Sequence, residues 1–243
     1  MDHVDFVLKN LINLLVGFPT QRPGGLLLNF IYAVLAILIA FALSLPIGWG
    51  RVSRVRPLRW GCALYIEVIR GMPLILIVFW VYSYGTIFGY NLSPFLSALI
   101  GLVLFGSSYL AETLSAGLNA VPHVQVEAAR SDGLTSLQIA THIRFPQALL
   151  IVLPDLTNLF ITIFKDSSVT LIIGAGELMY TAQAILNSSG ANAKYLVSLY
   201  FAVSLMFFAG ALFISCALAW VERRFEVPGR LERPSWPLKG EYS

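Results

Sequence analysis

The stretch Pro23–Gly50, PGGLLLNFIYAVLAILIAFALSLPIGWG, runs from Arg22 to Arg51 without one Asp, Glu, Lys or Arg. A helix that crosses the hydrocarbon core of a bilayer needs about 20 mostly apolar residues, so this stretch is long enough to span it. A second uncharged stretch, Tyr195–Val221, lies near the other end of the chain. These two stretches predict an integral membrane protein.

The composition of the whole chain supports this prediction. Hydrophobic residues make up 57% of the sequence and charged residues only 12%, and the mean hydropathy is +0.76. A soluble domain of ordinary composition is about 25% charged, so that class is excluded. The net charge is +3, but no basic stripe interleaved with aromatic residues is present, and nucleic-acid binding is not expected.

Three further apolar segments bring the predicted number of spans to five. The uncharged stretch Gly71–Ala111 is interrupted by turn-forming residues near its middle, which predicts one span at about Cys62–Tyr84 and another at about Phe95–Leu114. The remaining segment, Ala148–Gly174, is apolar but contains three charged residues, Asp155, Lys165 and Asp166. The predicted fold class is therefore an all-α integral membrane protein with five transmembrane helices.

The distribution of Lys and Arg predicts the orientation, because basic residues in short loops concentrate on the cytoplasmic side. Only Lys9, Arg22 and Lys194 fall on one side of a five-span chain. The other side holds Arg51, Arg54, Arg56, Arg59, Arg130, Arg144, Arg223, Arg224, Arg230, Arg233 and Lys239. We therefore expect the N-terminus outside and the C-terminus inside.

Three regions are expected along the chain. Residues 1–22 are predicted to form an interfacial segment, since Asp2 and Asp5 do not fit a signal peptide. Residues 23–222 form the membrane domain, and 223–243 a cytoplasmic tail. A short helix in the first region would turn its apolar side chains to lipid, namely Phe6, Leu8, Leu11, Ile12 and Leu15.

Residues 121–146, between the third and fourth spans, are polar and patterned as two short helices. Pro122 suits a first helical turn, and Gly133 can take the left-handed conformation that ends a helix. Thr135 is expected to cap the second helix, with Gln138 completing a capping box. Such a compact knob suits insertion into a groove of another protein.

The same loop contains Glu127-Ala128-Ala129, three residues, Gly133, nine residues and then Ile143-x-Phe145-Pro146. This spacing resembles the EAA loop of bacterial ABC import permeases, Glu-Ala-Ala-x3-Gly-x9-Ile-x-Leu-Pro, with Phe145 replacing leucine. We call residues 121–146 the EAA loop. The resemblance implies the type I ABC importer permease fold and a coupling helix that docks on an ATPase subunit. The residues it implies in coupling are Glu127, Ala128, Ala129, Asp132, Gly133, Ile143 and Pro146.

Two motifs in the second and third spans resemble the polar amino-acid branch of these permeases, the histidine, glutamine and arginine type. One is the run from Glu67 to Leu74, EVIRGMPL, with Met72 in place of threonine. Gly71 and Pro73 in this run are expected to loosen or kink the helix. Glu67 and Arg70 share a helix face and are expected either to neutralise each other or to contact substrate. The other motif ends at Glu112, which lacks a local cation; Arg70 or a second subunit could supply one, or Glu112 lies at the wet end of its span.

The fourth span contains Lys165-Asp166-Ser167-Ser168, followed by Gly174 and Glu177-Leu178. This resembles the Lys-Asp-Thr-Ser and Gly-x2-Glu-Leu elements of the same branch. An amino acid is a zwitterion, so its site needs a cation and an anion, and transporters bind near the midplane. The expected substrate-binding residues are Lys165, Asp166, Ser167, Ser168, Glu67, Arg70 and Glu112. Alternatively, these charges pair only with one another.

The resemblance also implies the partners. It implies a second permease subunit, identical or paralogous, two copies of a cytoplasmic ATP-binding subunit and an extracytoplasmic amino-acid-binding protein, in the lipid of the bacterial inner membrane. ATP and Mg are expected on the ATPase, with no cofactor or metal in this chain. Transport of an opine or small peptide, or a passive channel, remains as an alternative. An intramembrane enzyme is not expected, because the sequence has no HExxH or GxSxG motif.

Overall fold

The computed structural model describes residues 2–20, 22–188 and 194–225, and every regular element in that part of the chain is helical. The predicted cytoplasmic tail falls mostly outside the described residues. The helices are α1 (His3–Val16), α2 (Gly25–Arg51), α3 (Arg56–Gly71), α4 (Leu74–Ile87), α5 (Pro94–Ala120), α6 (His123–Ser131), α7 (Ser136–Gln138), α8 (Phe145–Asp166), α9 (Leu178–Ser188) and α10 (Leu196–Phe225). A π-helical turn, Ile139–Arg144, joins α7 to α8, and a 3-10 turn, Ser167–Ile173, follows α8.

Four helical segments of the described chain are long and apolar enough to cross a membrane. They are Gly25–Arg51, Pro94–Ala120, Asp155–Ile173 and Lys194–Trp220. The pair α3 and α4 satisfies the same test jointly but is bent by 105°. By length and composition, the described residues therefore contain four candidate spans, or five if the bent pair is counted as one.

The segment predicted as one span at about Cys62–Tyr84 is broken at the kink expected from Gly71 and Pro73. α3 ends at Gly71 and α4 begins at Leu74, with Met72 extended at φ −99° and ψ 137°. Pro73 is the cause, because its ring excludes the helical conformation at the preceding residue and it has no N–H to donate.

The two halves of this broken pair contact different depths of α5. Tyr65 on α3 shares a 2.7 Å hydrogen bond with Ser107 on α5. On α4, Val78 packs against Gly101, nearer the start of α5, so closely that a Cβ at Gly101 would lie 2.7 Å from Val78 Cγ2. α3 therefore crosses the middle of α5, and α4 runs along its first turns.

The core of the molecule is the contact between α2 and α5, which depends on small residues. A Cβ at Gly48 would lie 2.9 Å from the backbone oxygen of Ala111, and one at Gly106 would lie 3.1 Å from Ala40 Cβ. Helices inside a membrane associate largely through such close packing, because lipid offers no hydrophobic gain for apolar contacts. Large side chains on the outer faces, such as Phe213 at 68% exposure, are typical of a lipid-facing surface.

The N-terminal helix α1 packs against α2, α9 and α10. The expectation that Phe6 faces lipid is wrong, because its ring stacks on Tyr195 with centroids 4.2 Å apart and is only 3% exposed. Leu8 and Ile12 are exposed, as predicted. The apolar face of α1 is thus divided between an intramolecular contact and the surroundings.

Glu177 holds the region before α9 together. Its side chain is fully buried, and its carboxylate accepts hydrogen bonds from the backbone N–H groups of Met179 at 2.8 Å and Tyr180 at 2.9 Å. Asn29 on α2 donates to the same carboxylate at 3.2 Å and to Ser167 Oγ at 2.7 Å. One buried amide therefore connects α2, the 3-10 turn and the cap of α9.

Glu177 lies outside the spanning helices, and burial raises the pKa of its carboxyl to about 7, although the hydrogen bonds from Met179, Tyr180 and Asn29 lower it. The ordinary value is 4.5. Because the folded state holds this proton more tightly, the stability from protonation is fully present below about pH 4.5 and is lost as the pH rises through about 7.

Replacement of Glu177 by alanine is expected to lower the thermal midpoint of the purified protein markedly. It leaves the backbone N–H groups of Met179 and Tyr180 without this acceptor and leaves Asn29 with Ser167 as the acceptor of its amide. Each unsatisfied buried group costs about 1–3 kcal/mol. Glu177→Gln keeps one acceptor oxygen and should lose less. In differential scanning fluorimetry, the thermal midpoint should rise from pH 8 to pH 6, and this rise should be smaller in Glu177→Gln than in the wild type. An equal rise in both proteins would contradict this role for Glu177.

Candidate functional site

Four charged residues form a cluster where α2, α3 and α5 meet. Glu112 Oε2 lies 3.1 Å from Arg51 Nη2 and 3.6 Å from Arg70 Nη1. Glu67 Oε1 lies 3.9 Å from Arg51 Nη1. The expected mutual neutralisation of Glu67 and Arg70 is therefore wrong in this structure: Arg70 reaches across to Glu112, and Glu67 interacts with Arg51. Because α3 crosses α5, Arg70 lies within 3.6 Å of the Glu112 carboxylate on α5.

Arg51 is the member of this cluster that sequence reasoning missed. It was assigned only to the set of cytoplasmic basic residues, because it ends the first uncharged stretch. The packing of Gly48 against Ala111 sets the register of α2 on α5 and places Arg51 beside Glu112. Its position at the end of a span was the only signal available in the sequence.

Arg70 and Asp166 line one cavity of about 570 Å³. Its other walls include Met72, Phe105 and Tyr109, and the guanidinium carbon of Arg70 lies 5.0 Å from the Tyr109 ring centroid. A cation over the face of an aromatic ring is held in place by the ring quadrupole. The cavity thus presents one fixed cation and one carboxylate, the pair of charges that a zwitterion requires.

A second cavity of about 300 Å³ shares Phe105 and Tyr109 with the first. Its walls come from α5 and α8 and are partly polar, with Thr113, Asp155, Asn158 and Thr162. We call the two cavities together the α5–α8 groove. It extends from Arg70 and Asp166 toward the end of α5 that precedes the EAA loop. No role is predicted for Asp155 from the sequence, and the place of Asp155 and Asn158 in the groove depends on the packing of α8 on α5.

The structure separates Lys165 from Asp166. Lys165 is exposed and lines neither cavity of the groove, whereas Asp166 lines the larger one. Adjacent residues on a helix point in different directions, so they do not face one site together. Arg70, and not Lys165, is the cation that shares a cavity with Asp166.

The other predicted binding residues have different surroundings. Ser167 is fully buried, and its hydroxyl donates to the carbonyl of Phe164 at 2.7 Å while it accepts from Asn29. Ser168 is half-buried, and the Glu67 side chain is 72% exposed. Ser167 therefore belongs to the Asn29 and Glu177 network, and Glu67 lies at the outer edge of the charged cluster.

The EAA loop has the predicted local geometry. Gly133 is left-handed at φ +82°, and a Cβ there would meet nothing within 4 Å. Thr135 caps α7, and the reciprocal capping box with Gln138 is present. Ala129 is buried at 5% exposure, whereas the rest of the predicted coupling set is exposed or half-buried: Glu127, Ala128, Asp132, Ile143 and Pro146.

The surface of the EAA loop also exposes two large apolar side chains. Val124 on α6 is 75% exposed, and Leu137 on α7 is 72% exposed. Apolar side chains presented together on the surface of a polar loop are typical of an interaction surface. α7 continues through the π-helical turn into α8, so this surface is connected by one helical rod to Asp166.

Comparison with known proteins gives consistent matches. The family described as "Binding-protein-dependent transport system inner membrane component" matches residues 34–227. The probable glutamine ABC transporter permease protein GlnP of Bacillus subtilis (strain 168) is 33% identical over 203 residues, which cover 84% of this chain and 91% of GlnP. The L-cystine transport system permease protein TcyB of the same organism is 30% identical, over 84% of this chain and 86% of TcyB.

A solved structure of an amino acid ABC transporter with histidines superposes with a TM-score of 0.78 at 30% identity, covering 92% of this chain and 99% of the other. The MetNI methionine ABC transporter shares the fold, with a TM-score of 0.68 at 18% identity, covering 91% of this chain and 98% of the other. The family match extends over most of the chain, from the first long helix to the end of α10. This chain therefore belongs to the family of binding-protein-dependent transport system inner membrane components.

Proposed function

We propose that this chain is the permease subunit of an ATP-driven ABC importer that carries amino acids across the bacterial inner membrane by alternating access. The observation that carries the proposal is the placement of Arg70 and Asp166 in one cavity of about 570 Å³. The names of its relatives, which include glutamine and cystine permeases, favour the same class of substrate.

In this proposal the chain crosses the membrane five times, with the bent pair α3 and α4 as the second span. The N-terminal segment 1–22 lies outside, residues 23–222 form the permease domain, and the tail 223–243 lies inside. The concentration of arginines at the ends of the spans next to the EAA loop supports this orientation. The groove then begins near mid-membrane and continues toward the cytoplasm.

Asp166 would bind the substrate ammonium, and Arg70 its carboxylate. In the structure Arg70 lies 3.6 Å from Glu112, whereas Arg51 is closer to Glu112 at 3.1 Å. A substrate carboxylate could therefore take Arg70 while Glu112 keeps Arg51 as its partner. This exchange keeps Glu112 paired when Arg70 turns to the substrate, because an unpaired carboxylate inside the membrane would be costly.

The remaining predicted binding residues would act less directly. Ser167 would position the turn after Asp166 through its bond with Asn29. Ser168 is half-buried beside that turn, and Glu67 and Lys165 are exposed, so a second permease subunit would have to bring any of these three to the substrate.

The EAA loop would couple ATP hydrolysis to the groove. α6, with Glu127, Ala128 and Asp132 exposed, would dock on a cytoplasmic ATPase, of which the complex would hold two copies. ATP and Mg would be bound by that subunit, and an extracytoplasmic binding protein would deliver the amino acid. A displacement of the loop would pass through α7 and the π-helical turn into α8 and move the groove wall at Asp155 and Asn158, because these segments are consecutive in the chain.

The substrate site is tested by Asp166→Asn in the reconstituted complex. Loss of a charge-assisted hydrogen bond is worth about 1.5–3 kcal/mol, so the KM for amino-acid uptake should rise by about tenfold or more. Lys165→Gln, a neighbouring charge outside the groove, should change KM by less than about twofold, since exposed charges contribute little. Uptake that responds to Lys165→Gln and not to Asp166→Asn would reverse the assignment.

Coupling is tested by Gly133→Val. A β-branched residue is strained at φ +82°, so the turn between α6 and α7 should distort. We expect normal amounts of the protein in the membrane but uptake reduced relative to ATP hydrolysis. Gly133→Asn is the control, because asparagine tolerates the left-handed conformation and should retain most coupling. Undiminished uptake by Gly133→Val would contradict the role of this turn.

A further inference from the structure

Two adjoining cavities lie between the EAA loop and the ends of α2 and α5. Their volumes are about 230 Å³ and 380 Å³. Four residues contribute to the walls of both cavities: Arg54, Val126, Arg130 and Arg144. These arginines come from three separate places: the turn after α2, the end of α6 and the π-helical turn. Nothing in the proposed transport mechanism uses this space, which we call the arginine pocket.

The charges in the arginine pocket are not balanced. Glu127 is the one carboxylate among the residues that line either cavity. Among the described residues, Arg54, Arg130 and Arg144 form no ion pair within 4.0 Å, and Arg144 uses one N–H to donate to the carbonyl of Leu118 at 2.7 Å. Three guanidinium groups around one space repel each other, so an anion there would be stabilised.

The chemistry of the donors favours a phosphate. A guanidinium offers paired N–H groups in a rigid plane that matches phosphate oxygens, and it is always charged. Three such groups from three elements can surround one tetrahedral anion. The larger cavity also has His123 and Asn119 in its wall as further polar contacts.

The smaller cavity has an apolar wall as well as its arginines. Trp49, Val52, Leu118 and Ile139 line it, and Ile139 is only 3% exposed. A free inorganic anion gains nothing from such a wall, whereas the carbon chain of an amphipathic ligand would bury apolar surface against it. The combination of arginines and apolar side chains around one space matches a phospholipid.

The surroundings place the arginine pocket at a membrane surface. α3 begins directly after Arg54, and its first turns expose Trp60 at 72% and Leu58 at 50% beside the exposed Arg56 and Arg59. Tryptophan and arginine together are typical of the boundary between hydrocarbon and headgroups. Basic pockets between helices on the cytoplasmic side bind anionic headgroups.

We infer that the arginine pocket binds the phosphate headgroup of an anionic phospholipid, with the adjoining carbon chain against the wall formed by Trp49 and Leu118. The lipid bridges the turn after α2, α6 and the π-helical turn. It therefore braces the EAA loop against the membrane domain, so that ATPase activity depends on the anionic lipid around the complex. This inference rests on the membrane placement of the chain and does not depend on which substrate is carried.

The test compares Arg54→Gln with Arg59→Gln in the complete complex, reconstituted in nanodiscs that contain phosphatidylcholine with increasing phosphatidylglycerol. Arg59 is exposed, carries the same charge on the neighbouring helix and does not line the pocket. Native mass spectrometry counts retained phosphatidylglycerol, and ATP hydrolysis reports the functional effect.

We expect the apparent affinity for phosphatidylglycerol to fall by about tenfold in Arg54→Gln and by less than about threefold in Arg59→Gln. Arg54→Lys, which keeps the charge, should lie between the wild type and Arg54→Gln, and it guards against a folding defect in the glutamine variant. Equal losses in Arg54→Gln and Arg59→Gln would mean diffuse attraction to the surface and would overturn the site.

A second arm distinguishes the two sources of phosphate. Inorganic phosphate is added to the complex in nanodiscs of phosphatidylcholine alone. We expect no stimulation of ATP hydrolysis, because the apolar wall contributes nothing to the free ion. Stimulation by inorganic phosphate that is lost in Arg54→Gln would assign the pocket to a soluble anion and overturn the lipid. Uptake assays are not needed for either arm, so failure of the proposed transport function would leave this result interpretable.

Discussion

The close packing of α2 against α5 is the contact on which the remaining arrangement depends. Gly48 of α2 packs against the backbone of Ala111 on α5, and Gly106 of α5 packs against the side chain of Ala40 on α2. In lipid this approach stabilises the helix pair through dispersion and not through exclusion of water. It also fixes the register of the two helices, and the contact between Arg51 and Glu112 depends on that register, because a shift of one residue would move Arg51 away from Glu112.

The charged cluster where α2, α3 and α5 meet shows how ionisable groups are tolerated between packed helices. Each carboxylate of the cluster has a guanidinium within 4.0 Å, and Arg70 has in addition the face of Tyr109. Pairing of this kind rarely adds net stability, since desolvation offsets the attraction. The pairing instead leaves a choice of partners, because Glu112 lies near both Arg51 and Arg70. Arg70 can turn to a ligand while Arg51 stays paired with Glu112.

The two ends of α8 have different mechanical properties. At one end the 3-10 turn is tied to α2 and α9 by the buried Asn29 and Glu177, so this end is fixed. At the other end a π-helical turn joins α8 to α7, and such turns are points where a helix can adjust. A rod that is anchored near Asp166 and adjustable near the EAA loop can change the width of the groove. The arginine pocket lies against the adjustable end.

Local chemistry accounts for what could be predicted from the order of the residues. The lengths of the uncharged stretches predicted the spans, and the positions of proline and glycine predicted the turns. Thr135 and Gln138 predicted the helix cap. All of these features involve residues close together in the chain. The resemblance of the EAA loop gave the family. Even the break at Pro73 was visible in the sequence, although its 105° angle was not.

Arg70 was one of the expected cations for Glu112, but the other charged neighbours could not be predicted, because they come from helices that meet only when the chain is packed. The sequence places Lys165 next to Asp166 and Glu67 three residues before Arg70, and both neighbours suggested partners. In the packed structure, Arg70 instead shares a cavity with Asp166, and Arg51 lies beside Glu112. Side chains that share a helix diverge around its axis, whereas side chains from crossing helices converge, so the groove and the arginine pocket exist only once the helices are packed.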